Sequence, residues 1–272
     1  MFSLACTNLT LGYGANAVIE KLSLKVPAQR ITTLIGPNGC GKSTLLRGLA
    51  GLLKPQAGCV QLDNRELASW SRKTLARRIA FLSQTSISPE GLTVKEMVQH
   101  GRFPHRSFFG GEQEVDRQAV AWALSATHLT TLSGRLLTQL SGGERQRAWI
   151  AMALAQQADI VLLDEPTTYL DLGHQLEVLQ LLTELNATHG ITLIMSLHDL
   201  NQAIRYSHHT VALDSGRIVA SGAPTDVIDH QLLQEVFRVR ATLIERGDGH
   251  TICYPEEALS DRASLKSVWR KS

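Results

Sequence analysis

The segment GPNGCGKST at positions 36–44 constrains this chain more than any other feature. It follows the apolar run Ile31–Ile35 and precedes a stretch with an apolar helical face. A glycine-rich turn between a strand and a helix points backbone N–H groups at phosphate oxygens, and the helix N-terminus adds a favourable dipole. The order strand, G-x4-G-K-[ST], helix therefore predicts a phosphate-binding loop in an α/β fold.

Each residue type in this loop has a chemical reason to be there. Lys42 is expected to neutralise the β- and γ-phosphates, and the Ser43 hydroxyl to bind Mg²⁺. The other positions assigned to binding are Gly36, Pro37, Asn38, Gly39, Cys40, Gly41 and Thr44. A chance match in a glycine-rich turn is the alternative, but we expect it in roughly one chain in a hundred of this length.

Strand-like and helix-like patterns alternate along most of the chain. Short apolar runs at 60–62, 79–82, 160–163, 191–197 and 210–213 read as strands, and 42–53, 173–189 and a segment from 200 read as helices. This alternation predicts a parallel sheet covered by helices. Helical patterns dominate between 93 and 158, so that block reads as an insertion. Beyond 225 we expect two short helices and strands at 242–245 and 251–254.

A second motif, IVLLDEP at 160–166, ends an apolar strand in two carboxylates. Taken alone, it is better explained as a buried strand followed by a charged turn. Beside a phosphate loop, however, Asp164 becomes a carboxylate of the Mg²⁺ site and Glu165 a group that polarises the attacking water. The pair therefore indicates hydrolysis in addition to binding.

The third motif, LSGGERQR at 140–147, precedes an apolar helix. Ser141 could simply cap that helix, with Gly142 and Gly143 in the preceding turn. Its place between the phosphate loop and the carboxylate strand, however, resembles the signature of ATP-binding cassette (ABC) ATPases. The resemblance implies that Ser141, Gly142, Gly143 and Gln146 close over ATP bound to a second copy of the chain, arranged head-to-tail.

Four more positions match motifs of that family in the right order, and the resemblance covers about residues 4–223. It implies that Gln84 senses Mg²⁺ and the membrane partner, that His198 contacts the γ-phosphate, and that Tyr13 stacks on adenine. Asp171 matches the loop that follows the carboxylates. Catalysis is thereby assigned to Glu165, His198, Gln84 and Lys42, and the Mg²⁺ site to Ser43, Gln84 and Asp164.

The resemblance also implies a fold and its subdivision. We expect an α/β P-loop NTPase core with an N-terminal antiparallel β subdomain and an inserted α-helical subdomain at about 89–158. The ATPase domain would span 1–225, and 226–272 would form a C-terminal appendage. The loop 103–111 in the insertion is expected to dock a partner, although ordinary hydrophobic packing is an open alternative.

Within the family, the chain resembles ATPase subunits of bacterial importers for ferric siderophores, haem and cobalamin. The residues that carry this finer resemblance are LTVKE (92–96), GRFPH (101–105), RAWIAMALA (147–155) and TTYLDLGH (167–174). A ferric siderophore is the first choice of cargo, and cobalamin or haem is the alternative. The implied partners are integral membrane permease subunits, a second copy of the chain and, indirectly, an extracytoplasmic solute-binding protein. The implied place is the cytoplasmic face of the bacterial inner membrane, as a peripheral subunit.

Composition excludes several other classes of protein. The formal net charge of +2 gives no electrostatic case for a nucleic-acid partner. No apolar run approaches the ~18 residues that span a bilayer, and no secretory leader is recognised, so we expect a partner to hold the chain at the membrane. The spacing of cysteines and histidines predicts no transition-metal site. Chromosome-maintenance ATPases insert long coiled coils, translation-type ABC proteins usually carry two cassettes, and lone P-loop kinases or GTPases lack LSGG.

The thiol of Cys40 lies two residues before Lys42 and near a helix N-terminus. Both features favour the thiolate. We therefore expect Cys40 to react with alkylating reagents faster than Cys6, Cys59 and Cys253, and to be protected by Mg-ATP. A thiol packed away from solvent is the equally weighted alternative.

Overall fold

The structure, a computed structural model, describes residues 3–84, 90–106, 113–247 and 251–259. Its strands are β1 (Leu4–Tyr13), β2 (Asn16–Val26), β3 (Ile31–Ile35), β4 (Ala57–Leu62), β5 (Arg65–Glu66), β6 (Ile79–Leu82), β7 (Ile160–Leu163), β8 (Thr192–Ser196), β9 (His209–Asp214), β10 (Arg217–Gly222), β11 (Val239–Glu245) and β12 (Thr251–Ala258). Its helices are α1 (Lys42–Leu49), α2 (Arg72–Ala76), α3 (Val94–His100), α4 (Glu114–Ala126), α5 (Gly142–Ala155), α6 (Leu172–His189), α7 (Leu200–Tyr206), α8 (Pro224–Val227) and α9 (His230–Glu235).

The larger sheet has the strand order β10-β9-β3-β8-β7-β6, in which only the pairing of β10 with β9 is antiparallel. Strands β3, β7 and β8 are buried along their whole length, as expected for parallel strands covered on both faces. Their carboxyl ends meet at one edge. The phosphate loop, the two carboxylates and His198 follow these three ends and are thereby brought together.

A second sheet, with the order β2-β1-β4-β5, is entirely antiparallel. Helix α1 lies between the two sheets, because Leu45, Leu46 and Leu49 share one buried cluster with Leu11 of β1 and Leu34 of β3. The helix predicted for 42–53 ends earlier, at Leu49. The chain turns at Gly51, which adopts the left-handed φ of 70° that glycine accommodates without a steric cost.

Helices α3, α4 and α5 form the inserted helical group and share a buried cluster with β6, β7 and α6. An ion pair lies inside this group: Arg102 Nε is 2.8 Å from Asp116 Oδ1, and the two side chains are 2% and 6% exposed. Arg102 Nη1 also donates to the carbonyl of Ala155 at the end of α5. One guanidinium therefore joins the chain after α3 to the start of α4 and the end of α5.

The C-terminal elements are α8, α9 and the antiparallel hairpin β11–β12. Both predicted strands of this region are present, and each is longer than its sequence pattern indicated. Ala241 and Cys253 of the hairpin share a buried cluster with Ile35 of β3, Ala203 of α7 and Ala212 of β9. In the described ranges, no helix combines the length and the hydropathy that a membrane crossing requires.

Candidate nucleotide-binding site

The phosphate loop wraps around the side chain of Lys42, which is only 5% exposed. Its Nζ donates to the carbonyls of Gly36 and Pro37, at 2.7 and 3.1 Å. A Cβ at Gly36 would lie 2.1 Å from the carbonyl oxygen of Leu213, so the close approach of β9 requires glycine there. The ammonium group thus lies inside the loop, where it can neutralise phosphate charge.

Asp164, at the end of β7, joins three elements at the edge of the sheet. Its Oδ1 accepts hydrogen bonds from Ser43 Oγ of α1 and from Ser196 Oγ of β8, both at 2.9 Å. The carboxylate is 3% exposed. Hydroxyl and carboxylate oxygens are the hard ligands that Mg²⁺ prefers, so the donor chemistry of Ser43 and Asp164 fits this ion.

Glu165 lies at the centre of a second cluster. His198 Nε2 is 2.6 Å from its Oε1, and Gln84 Nε2 donates to its Oε2 at 2.5 Å. Thr168 Oγ1 donates to the same Oε2 at 2.9 Å, and the Glu165 N–H donates to Ser196 Oγ at 2.8 Å. The backbone φ of Glu165 is +52°, a left-handed conformation that is uncommon for glutamate and that often occurs at functional sites. The structure therefore brings Gln84, Glu165 and His198 together beside Asp164.

The signature segment begins α5, and Ser141 does cap that helix. Ser141 Oγ accepts from the Glu144 N–H, and Glu144 Oε2 accepts from the Ser141 N–H. The backbone hydrogen bond from Ser141 is the main cause that lowers the pKa of Glu144. Capping leaves Ser141 and Gly142 exposed, so the helix-cap reading and the binding reading are compatible.

The loop at Asp171 packs directly against the signature. Asp171 caps α6 by accepting from the N–H and from Nδ1 of His174, at 2.9 and 2.8 Å. These bonds from His174 lower the pKa of Asp171. The His174 ring covers Gly143 so closely that a Cβ there would lie 2.1 Å from the ring. Gly143 is therefore required by packing as well as by any contact with a nucleotide.

The signature does not complete the phosphate site of its own chain. In the parts of the chain that are described, no hydrogen bond or ion pair joins residues 141–146 to residues 36–44. Gly142 and Ser141 face solvent. The two halves of an ATP site are thus present in one chain but lie apart.

Comparison with known proteins identifies this arrangement. A profile of the ABC transporter family matches residues 19–168, more than half of the chain. The chain belongs to the ABC transporter family. It is accordingly an ATPase whose nucleotide is ATP.

Two curated relatives show how far the similarity to ABC subunits extends. The iron(3+)-hydroxamate import ATP-binding protein FhuC of Bacillus subtilis strain 168 is 44% identical, over 98% of this chain and 100% of the relative. The ferric enterobactin transport ATP-binding protein FepC of Escherichia coli K12 is 48% identical, over 87% of this chain and 88% of the relative.

Solved structures of ABC proteins confirm the expected fold class. A structure described as an inward-facing metal-chelate type ABC transporter aligns with a TM-score of 0.82 and 30% identity, covering 94% of this chain and 98% of that chain. The ATP-binding cassette MJ0796, solved as a dimer in a post-hydrolysis state with ADP and Pi, aligns with a TM-score of 0.70 and 28% identity, covering 81% and 98%. The α/β core, the antiparallel β sheet and the inserted helices are those of an ABC cassette.

Cys40 of the cassette is not the activated thiol that its position in the sequence indicated. Its side chain is 3% exposed, and burial raises the pKa of the Cys40 thiol, although the charge of Lys42, whose Nζ is 3.9 Å from the sulfur, acts in the opposite direction. The expectation of a low pKa is therefore wrong. Burial inside the loop outweighs the nearby positive charge.

Three further contact residues of the ABC site were not found from the sequence. Ser196 Oγ donates to the Asp164 carboxylate and accepts from the Glu165 N–H. Thr168 donates to the Glu165 carboxylate, and His174 covers Gly143. Ser196 ends a strand adjacent to β7, and this position at the shared edge is a signal that could have found it. Thr168 and His174 lie in the segment 167–174 that carries the finer resemblance, but nothing in the local sequence indicates the contacts they make.

Two predicted contact regions lie at the periphery of the cassette. The Tyr13 ring ends β1 and is 50% exposed, and its hydroxyl accepts from Arg47 Nη1 of α1 at 3.3 Å. In the loop predicted to dock a partner, Phe103 is 62% exposed, whereas residues 107–111 lie outside the described residues. The exposed rings of Tyr13 and Phe103 can each contact another molecule.

Proposed function

We propose that this ATPase energises a bacterial importer of ferric siderophores. The observation that carries the proposal is the cluster of Gln84, Glu165 and His198 beside Asp164 and the phosphate loop. The cargo rests on the relatives whose names specify iron(3+)-hydroxamate and ferric enterobactin. Cobalamin and haem are the competing cargoes.

In this proposal each residue of the site has a chemical role. Lys42 leaves its carbonyl partners and neutralises the β- and γ-phosphates of ATP. The residues of Gly36–Thr44 other than Pro37 supply backbone N–H donors. Ser43, Asp164 and Gln84 would hold Mg²⁺, which supplies neutralisation of the phosphate charge.

Glu165 polarises the attacking water, and His198 contacts the γ-phosphate. Tyr13 stacks on the adenine ring.

We further propose that two copies of the chain bind ATP head-to-tail. Among the described residues, no hydrogen bond or ion pair joins 141–146 or Asp171 to the phosphate loop of the same chain, and Ser141 and Gly142 are exposed. A second copy that presents Ser141, Gly142, Gly143 and Gln146 would complete each site. The solved dimer of the MJ0796 cassette supports this arrangement.

The proposed partners outside the dimer are integral membrane permease subunits, and indirectly an extracytoplasmic solute-binding protein. The chain would act as a peripheral subunit at the cytoplasmic face of the inner membrane. Closure of the dimer around ATP would drive the permease between inward- and outward-facing states through the region of Gln84 and the inserted helices. Hydrolysis would reset it.

The test is uptake by the chain assembled with its permease in vesicles that contain ATP. A panel of a ferric hydroxamate, a ferric catecholate, haem and cobalamin is offered, and the Glu165→Gln complex is the matched control. We expect ATP-dependent uptake of a ferric siderophore by the wild-type complex only. Uptake of cobalamin or haem alone would refute the proposed cargo, and ATP hydrolysis equal to that of the Glu165→Gln complex would refute the catalytic assignment.

A further inference from the structure

The C-terminal hairpin is bonded to the segment that carries His198. Asn201 Nδ2 donates to the Cys253 carbonyl at 3.1 Å, and the Cys253 N–H donates to Asn201 Oδ1 at 2.8 Å. Cys253 pairs with Leu243 in the hairpin, so these backbone groups lie on the outer edge of β12. A carboxamide has the same donor and acceptor as a peptide group. Asn201 therefore pairs with Cys253 as a neighbouring strand would.

This pairing lies three residues from His198 along the chain. Asp199 caps α7 by accepting from the N–H groups of Asn201 and Gln202, at 2.7 and 3.1 Å. The first turn of α7 is thus a short, internally bonded unit that begins immediately after His198. Asn201 belongs to this bonded turn, and His198 directly precedes it, so a shift of Asn201 bears on the backbone that carries His198.

The remaining surroundings of His198 on this side are open. The segment 198–201 lines a cavity of about 470 Å³ together with Phe237, Val239 and Pro255 of the C-terminal region. The His198 side chain is 43% exposed, and its Nε2 is paired with the Glu165 carboxylate. Leu200 packs against the cluster that contains Ala241 and Cys253, and the two bonds of Asn201 add a directional link from the start of α7 to β12.

We propose that Asn201 is a positioning residue that, through its paired bonds to Cys253 of the C-terminal hairpin, holds His198 in place against Glu165. This rests on the catalytic role proposed above for His198. The hairpin becomes part of the hydrolytic machinery by fixing the first turn of α7. In the described part of the chain, the hydrogen bonds of Asn201 go to Asp199 and Cys253, and none goes to Glu165 or the phosphate loop.

The experiment measures ATP hydrolysis by the full-length chain assembled with its permease, for Asn201→Ala, His198→Ala and the double variant. A substitution that shifts a reacting group without touching substrate lowers kcat more than it weakens substrate binding. We expect Asn201→Ala to lower kcat about tenfold while KM for ATP stays within about twofold. We expect the double variant to be no slower than His198→Ala, because the two residues act through one group.

A matched control separates positioning from general stability. Asn186 makes a comparable bond, because its Nδ2 donates to the carbonyl of Ile191 at 2.7 Å. It lies near the C-terminal end of α6. Asn186→Ala should lower the melting temperature at least as much as Asn201→Ala and leave kcat unchanged. If Asn201→Ala does not fold, Asn201→Asp retains the shape and the acceptor but loses the donor to Cys253. It should show the same selective loss of kcat.

The outcomes distinguish this inference from the proposed function. A kcat for Asn201→Ala equal to that of Asn186→Ala, or a double variant about tenfold slower than His198→Ala, would overturn the positioning role and leave the ATPase assignment intact. Full hydrolysis by His198→Ala would instead remove the role of His198 and the inference with it.

Discussion

At the scale of single residues, the geometry of Glu165 leads to a direct prediction. Glu165→Gln keeps the side-chain shape but removes the negative charge that polarises water. We expect hydrolysis to fall ~10²–10⁴-fold, the usual contribution of a general base, while ATP binding persists. Initial rates and binding of a fluorescent ATP analogue measure the two quantities separately. Thr168→Ala is the matched control, since it removes only one hydrogen bond to Glu165, and a loss equal to that of Glu165→Gln would contradict the assignment.

The four cysteines give a second prediction at this scale. Cys6, Cys40 and Cys253 are buried, and burial raises the pKa of Cys6 to about 11. Cys59 is the partly exposed one of the four, although burial and the neighbouring Glu66 also raise its pKa. Exposure to solvent therefore decides the order in which the thiols react, and we expect a short maleimide pulse to label Cys59 first. Peptide mapping with and without Mg-ATP checks this. Initial labelling at Cys40 that nucleotide suppresses would contradict the burial of that thiol.

Prediction from the sequence was successful where a residue's position is set by its immediate neighbours. The motif spacing correctly predicted Lys42 and Ser43 at the junction of the phosphate loop and α1, because a phosphate loop is a local structure. Cys40 shows the limit: its local charges indicated a low pKa, but its burial depends on β9 and other distant parts of the chain. Ser196 was missed for the same reason, since its partners Asp164 and Glu165 are adjacent only in the sheet.

At the scale of elements, the buried pair of Arg102 and Asp116 holds the inserted helices together. Arg102→Ala leaves the Asp116 carboxylate buried without its partner, and we expect a loss of about 3–5 kcal/mol in the free energy of unfolding. Urea denaturation followed by circular dichroism measures it. Arg117→Ala removes an exposed ion pair on the same helix and should cost less than about 1 kcal/mol. Equal losses in the free energy of unfolding for the two variants would show that the buried ion pair stabilises the fold no more than the exposed one.

The same pair makes stability depend on pH. Burial alone would raise the pKa of Asp116, but the hydrogen bond from Arg102 and the other favourable contacts outweigh it and lower the pKa. A carboxyl whose folded pKa is depressed stabilises the fold above its unfolded pKa, which is ~3.9 for aspartate. That contribution should decrease as the pH falls below about 4. The Arg102→Ala variant should lack it.

Most elements follow their sequence patterns, and the exceptions have physical causes. Strand β10 was not predicted, because it lies at the sheet edge, alternates between exposed and half-buried residues, and contains no fully buried one. Helix α1 was predicted too long, since Leu52 and Leu53 continue the apolar pattern beyond the turn at Gly51. Hydrophobic periodicity reports burial, and it fails where burial is weak or where apolar residues lie in a loop.

At the scale of the whole molecule, the chain order of the motifs differs from their order in the sheet. The sheet places β3 between β9 and β8, and β7 follows β8, so segments far apart in sequence end at one edge. Motif recognition could predict that these ends meet. It could not predict the contacts of the C-terminal hairpin, because the bonds from the Asn201 side chain to the Cys253 backbone follow no sequence pattern. The domain boundary at 225 and the roles assigned to the site residues stay predictions.

The dimer supplies the last prediction. In the Glu165→Gln background, ATP should persist in the closed site and hold two copies together. Adding Ser141→Arg places a bulky cation on the exposed start of α5 without altering the phosphate loop. We expect the double variant to bind ATP and to remain monomeric in size-exclusion chromatography with Mg-ATP.

Loss of a helix cap must be separated from this effect. Ser141 and Ser71 both cap helices through an N–H three residues ahead, and each cap contributes about 1 kcal/mol. Ser71→Arg in the same background removes a cap of α2, which lies outside the signature, and should leave the dimer intact. If the Glu165→Gln protein dimerises and both arginine variants still dimerise, Ser141 does not lie at the shared site. The head-to-tail arrangement would then have to be abandoned, while the assignment of the phosphate loop and its carboxylates to ATP binding would stand.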